Sequence, residues 1–302
     1  MARTNMDAWI PEERGSTVLQ TISQVSAVEL LARRESMNSE TKFVPRSGGV
    51  DVSVTPKGAA YAENDNVDSE VLLTARKFTG LIRIAEEDID DIPENVVAIK
   101  QNDWAKAYAV RLDNAALAVT GAENGTTVPF TSVYRALSTA DAGLGYTANA
   151  NIVKSAGVVT YDQLSAVLGL VETSDYFGEL VVIAHPTFKG AFRSIKDSTG
   201  APVFVQGLAG TPDTLFGYSV AWSRGAKTSA TNSEAPNGNP ILVVAEKEHL
   251  ILGDRGPVES AVIDGFTGAS ALTDEALIKM RSRKGFVLGH PNAAAILEIT
   301  AS

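Results

Sequence analysis

The spacing of apolar and polar positions changes period several times along this chain, and each change marks a new element. Over residues 92–121 the period is helical: Val97, Trp104, Tyr108, Leu112, Ala115 and Val119 fall on one stripe. The opposite side is mixed, with Asn102, Asp103, Lys106 and Asp113 as its polar members and Ile99, Val110 and Leu117 as a thinner apolar ridge. Asp90, Asp91 and Glu94 favour a helix start, Pro93 is tolerated in a first turn, and Gly121 fits a C-terminal cap. At about 1.5 Å per residue the rod is roughly 40 Å long, against a usual globular helix of about 11–12 residues. Two apolar sides predict a helix flanked twice, either wholly inside its own domain or with part of it against another subunit.

Ahead of that helix the period is two. Val50, Val52 and Val54 alternate, then Val71, Leu73 and Ala75, then Ile82 and Ile84, all in the manner of strands. Residues 55–69 between them are polar and have little to bury, so 42–84 predicts a long two-stranded ribbon with an irregular middle. An isolated hairpin is marginal in water, so the ribbon needs support from a large core beside it or from another chain. Residues 1–15 hold no sustained period. Residues 16–31 predict a short amphipathic segment with Leu19, Ile22, Val25 and Leu30 on its apolar side, ended by Arg33 and Arg34. A terminal segment stays poorly ordered unless tied down, so this one needs a body to lie on, its own or a neighbour's.

Beyond the helix, 123–155 is rich in Gly, Ala, Thr and Asn and reads as loop with about a turn of helix. From 160 the pattern is α/β. Thr160 caps a helix over 160–172, 179–184 is a buried strand, and 185–193 is a helix with Pro186 in its first turn. Further strands fall at 215–223, 240–245, 249–252 and 258–263, with a polar loop over 226–239. Residues 272–283 fit helix or strand, and 285–289 and 293–299 predict two closing strands. The fold class is α+β, without internal repeats.

The totals narrow the function. A chain of 302 residues can bury about three quarters of its unfolded surface, enough for one large or two modest cores. There are no cysteines, which removes disulfides, thiolate metal sites and cysteine nucleophiles, and fits synthesis in a reducing cytosol. No run approaches 18 apolar residues and no apolar signal core opens the chain, so no membrane partner is expected. A net charge of −10 argues against wrapping nucleic acid by bulk electrostatics. His185, His249 and His290 are scattered and fit capping or surface roles. Neither a G-x-S-x-G elbow nor a phosphate loop is present, and Gly143-Leu144-Gly145 lacks the rest of a dinucleotide site. The acidic run 86–91 fits the approach to a helix better than a cation site. We therefore expect no catalytic, cofactor-binding or metal residues.

The order of parts, together with several short motifs, resembles the major capsid protein of tailed double-stranded-DNA bacteriophages, whose fold is shared with encapsulins and the herpesvirus capsid floor. Ala60-Tyr61-Ala62-Glu63 is similar to the family's small-aromatic-x-Glu stretch in its extended loop. Residues 76–89, RKFTGLIRIAEEDI, resemble the β-run and Glu-Glu/Asp step into the spine helix, and 112–121, LDNAALAVTG, resemble that helix's close. Lys196-Asp197-Ser198-Thr199-Gly200 is similar to K-D-x-x-G, and 215–220 to L-x-G-x-P-V. Val119 stands where the family's close has glycine, Ser219 where many relatives have proline, and Arg255 where an aromatic is common.

The resemblance implies an N-terminal arm (1–41), an extended β-ribbon loop (42–84), a peripheral domain (85–158 and 264–302) with its spine helix, and an α/β axial domain (159–263). It also implies a structural protein without enzymatic activity, assembling as hexamers and pentamers of an icosahedral shell that packages double-stranded DNA. Inter-subunit contacts are expected at Val50, Val52, Val54, Lys57, Tyr61, Glu63, Leu19 and Ile22. Separate scaffolding, portal and decoration proteins are the further partners it suggests. Some relatives crosslink a lysine to an asparagine; Lys57 lies in the corresponding loop, but its partners have no match, so that chemistry is not carried over. An encapsulin-type compartment with a protein cargo is the alternative. A small-molecule enzyme or binding module built on the 179–184 strand is the reading from another class.

Overall fold

The computed structural model describes residues 25–47, 52–61, 63, 68–87, 95–176, 178–196, 214–233, 238–263 and 275–300. These form two compact units, one from 79–105 and 260–280, the other from the remaining described residues. Four elements contribute to both: β4 (Arg76–Ala85), the 22-residue α2 (Val96–Leu117), β11 (Glu259–Ile263) and β12 (Glu275–Leu288).

In the smaller unit, β4 and β11 (Glu259–Ile263) each pair with β12. Helix α2 starts one turn later than its sequence suggested. The Asn95 side chain accepts the Ala98 N–H at 3.0 Å and so caps it, while Pro93 and Glu94 lie outside the described residues. Gly80 is required by packing. A Cβ there would come within 2.4 Å of the Trp104 ring, which lies against bare backbone. Arg83 pairs with Glu275 at 3.3 Å.

In the larger unit, six strands run in the order β5-β13-β9-β6-β8-β7. They are β5 (Ile152–Ala156), β6 (Leu180–Ala184), β7 (Thr214–Leu215), β8 (Tyr218–Trp222), β9 (Ile241–Glu246) and β13 (Ala294–Thr300). Strands β6 and β9 are continuous apolar runs because both of their faces are covered. On one face Leu180, Val182, Ala184, Leu242 and Val244 join a core with Leu164, Val167, Leu168 and Val171 of α4 (Tyr161–Glu172) and Phe188 and Phe192 of α5 (Thr187–Ser194). The alternate residues Val181, Ile183 and Val243 are buried as well. Helix α4 opens with a full capping box, Thr160 accepting the Gln163 N–H and Gln163 the Thr160 N–H. This sheet reaches outside residues 159–263, because β13 pairs with both β5 and β9. Strand β10 (Leu250–Asp254) instead runs parallel to β1 (Arg33–Ser36) and antiparallel to the second half of β12.

Several expectations change. Of the two readings left open for 272–283 the strand is the one found, and it runs on without a break through 288 in place of a separate strand at 285–289; Ala276, Ile278, Met280 and Ser282 alternate inward with period two. The stretch 123–155 holds the short helix expected there, α3 (Val133–Ser138), and also β5, which was not expected. Gly121 is not a helix cap, since α2 ends at Leu117; a Cβ at Gly121 would meet the Ala230 carbonyl at 2.4 Å. Asp113, expected on a polar face, is fully buried. The close of the arm is no free extension either, because β1 pairs with β10 of its own chain.

Candidate assembly surface

The ribbon consists of β2 (Thr41–Arg46) and β3 (Ser69–Thr74), antiparallel, with Phe43 opposite Leu72 and Val44 opposite Val71. Side chains alternate across such a pair, so its register assigns each residue to a face. One face closes onto the body, where Leu73 joins Met37, Ala75 and Ile251 in a small core, with Val44 packed against it. A Cβ at Gly253 would meet Leu73 at 2.7 Å, so glycine there lets the ribbon sit close. At the ribbon's base Lys42 donates to Glu35 at 2.5 Å, and that hydrogen bond holds the Glu35 carboxyl below the usual range. The other face carries Phe43, 57% exposed, and its partner Leu72, with Pro45 and Glu70 exposed beside them.

A second apolar edge lies on α1 (Ala27–Leu31). Ala27 and Val28 turn inward, while Val25 is 71% and Leu30 68% exposed. This short helix is fixed by a residue 85 positions or more away in sequence. The buried Asp113 carboxylate accepts from Ser26 Oγ at 2.5 Å, Ala27 N at 3.0 Å, Val28 N at 3.1 Å and Ser223 Oγ at 2.6 Å. Burial pushes its carboxyl above the ordinary range, and the four donors pull it back only in part. Asn114, next along α2, donates to the Gly225 and Lys227 carbonyls and accepts from Ser229 Oγ. Tyr108 donates to Glu29 at 3.0 Å, and the buried Lys284 pairs with Glu29 and Asp254. Polar anchors on α2 thus hold α1 so that its remaining apolar side faces out.

Of the contact residues expected from the sequence, Val52, Val54, Lys57, Tyr61 and Glu63 are exposed, Val54 to 98%. Among the described residues, 52–61 belong to no strand, so the period-two reading at Val52 and Val54 is corrected: alternation alone does not make a ladder. Val50, Leu19 and Ile22 lie outside the described residues. Phe43 and Leu72 were missed. The signal was present in the adjacent apolar pairs Phe43-Val44 and Leu72-Leu73, which make both faces of the ribbon apolar.

The same elements, an antiparallel ribbon, a long helix and a six-stranded sheet with helices against it, recur in known proteins. A family model described as "Phage capsid family" matches residues 7–299. The chain belongs to the phage capsid family. It is a major capsid structural subunit, a virion component that assembles with copies of itself into a shell. Its fold is similar to that of a structure from Mycobacterium phage Bobi, at 16% identity and a TM-score of 0.72 over 98% of this chain and 96% of that one. It is similar to a chain of a capsid of a native GTA particle computed with C5 symmetry, at 16% identity and 0.72 over 98% and 97%. A Gordonia phage Cozz structure gives 14% identity and 0.73 over 98% and 93%. No curated protein sequence matches the chain.

In this capsid subunit, His185 Nδ1 takes the Thr187 N–H and His290 Nδ1 the Asn292 N–H, each ring capping the turn that follows it. Among the described residues no cluster of three or more His, Asp or Glu is arranged to hold a metal ion. What the arrangement offers chemically is apolar surface for another protein.

Proposed function

We propose that this capsid subunit forms the hexamers and pentamers of an icosahedral shell around double-stranded DNA, is made in the host cytoplasm, and catalyses no reaction. The supporting observation is the placement of large apolar side chains outward on elements whose inner faces are already satisfied. Phe43 and Leu72 project from one face of the ribbon, while Leu30 on α1 and Val25 just ahead of it are exposed. Apolar surface of this kind marks a protein contact, and obligate interfaces commonly bury more than about 2,000 Å². Heterologous contacts that close into rings give capsomers without a second kind of subunit. In this reading the α/β sheet lies toward the capsomer centre, while the ribbon and the arm reach neighbouring copies. Val52, Val54, Lys57, Tyr61 and Glu63 are its further contact residues, with separate scaffolding, portal and decoration proteins as partners.

The test replaces Phe43 and Leu72 together by serine and examines the expressed full chain by negative-stain microscopy. The parent is expected to give closed shells, and the variant a folded subunit that does not close. Shells of normal form and yield from the variant would overturn the role given to this face. Double-stranded DNA inside particles from the native source is expected; a protein cargo in its place would refute the packaging role.

A further inference from the structure

The end pair of the β2–β3 register, Arg46 opposite Ser69, is fastened to a compact cluster of rings. Arg46 donates through Nε to Ser69 Oγ at 2.8 Å and through Nη1 to the Gly289 carbonyl at 2.6 Å. The Gly289 N–H in turn donates to the His249 carbonyl at 2.8 Å. Next to it the buried His290 ring stacks on Tyr176, with centroids 4.5 Å apart and an interplanar angle of 26°. Tyr176 also meets His249 edge-on at 4.8 Å. His249 Nε2 lies 3.3 Å from Glu246 Oε2, a buried oxygen without a hydrogen-bond partner among the described residues. There is little slack. A Cβ at Gly289 would meet His249 Nδ1 at 2.6 Å, and one at Gly178 would meet Glu246 Oε1 at 2.4 Å.

The charged groups around the two imidazoles come from every neighbouring element. Arg46 on β2 and Arg33 on β1 oppose a positive ring, whereas Glu246, Glu248 and Asp141 favour it; Asp175 adds negative charge beside Tyr176. For His249, Glu246 is an ion partner already in place. For His290 the balance is worse, because Nδ1 holds the Asn292 N–H and must give up that bond to take a proton.

We infer that this cluster is an acid-operated release for the extended loop: protonating His249 and His290 sets two positive charges beside Arg46 and breaks its hold on Gly289. Burial first, then Arg46, pushes the His290 pKa down to about 4 and lowers that of His249 from the ordinary 6.5. A group with a lowered folded value binds fewer protons when folded, so its stabilising contribution is present above about 6.5 and is lost as pH falls toward the folded value. In this way neutral pH holds the root of the loop and acid frees it. The inference rests on reading 42–84 as the loop that reaches a neighbour, but the opening itself is local to one chain.

The test is hydrogen exchange on the unassembled full chain from about pH 7.5 to about pH 4, corrected for intrinsic exchange. Peptides from β2 and β3 are expected to open at least about tenfold more in acid while those from β6 and β9 stay protected. His290→Asn keeps an acceptor for the Asn292 N–H without a titrating ring, and His249→Phe keeps the ring without the charge. Together they are expected to abolish the step. Arg46→Met is expected to open the same peptides already at neutral pH. An acid step unaltered in the double variant, absent in the parent, or accompanied by an unchanged neutral-pH exchange in Arg46→Met would overturn the inference. Assembly of the Phe43 and Leu72 variant is a separate readout, so the capsid role survives a negative result here.

Discussion

Replacing Asp113 tests whether the arm is held as described. The carboxylate accepts four hydrogen bonds, two from serine hydroxyls and two from the backbone N–H groups of Ala27 and Val28. In Asp113→Ala the serine hydroxyls can rotate toward other acceptors, but the two N–H groups at the start of α1 cannot. Each buried donor left unpaired costs about 1–3 kcal/mol, and relief from burying a charge offsets part of that. The expected net loss is about 2–5 kcal/mol in urea denaturation of the full chain. Hydrogen exchange is expected to rise first across α1. Asp113→Asn still accepts from one side and is free of the burial cost, so it is expected to lose only about 1–2 kcal/mol. A loss below about 0.5 kcal/mol in the alanine variant, or an asparagine variant less stable than alanine, would refute the account, since either result means these donors are satisfied without the carboxylate.

Two further outcomes are expected. Gly225→Ala would press a Cβ to within 2.5 Å of the Val110 carbonyl and 2.7 Å of the Asn114 nitrogen, so it is expected to destabilise by about 1–3 kcal/mol; a neutral effect in thermal unfolding would show that α2 and the 223–229 loop can separate freely. Replacing residues 47–68 by an Asn-Gly turn is expected to leave a soluble subunit that no longer closes into shells, since two residues of that type join antiparallel strands without strain. Normal particles by microscopy would count against the extended loop as an assembly element.

Much of the fold was legible because it is encoded locally. The apolar runs at 180–184 and 241–245, the Thr160 capping box and the stripe Tyr108-Leu112-Ala115 each state their element within a few residues, and each occurs where its period points. The family, too, was legible in the order of such elements. Other features depended on partners distant in sequence. Asp113 has the spacing of a solvent-facing residue on α2, yet Ser26, Ala27, Val28 and Ser223 converge on it. Val52 and Val54 alternate like a strand but belong to none among the described residues, whereas Phe43 and Leu72 share the open face because the β2–β3 register sets them opposite each other. Periodicity fixes which side chains share a side of an element. Only long-range pairing decides what that side meets, and on this subunit it left Phe43, Leu72, Val25 and Leu30 turned outward from the body.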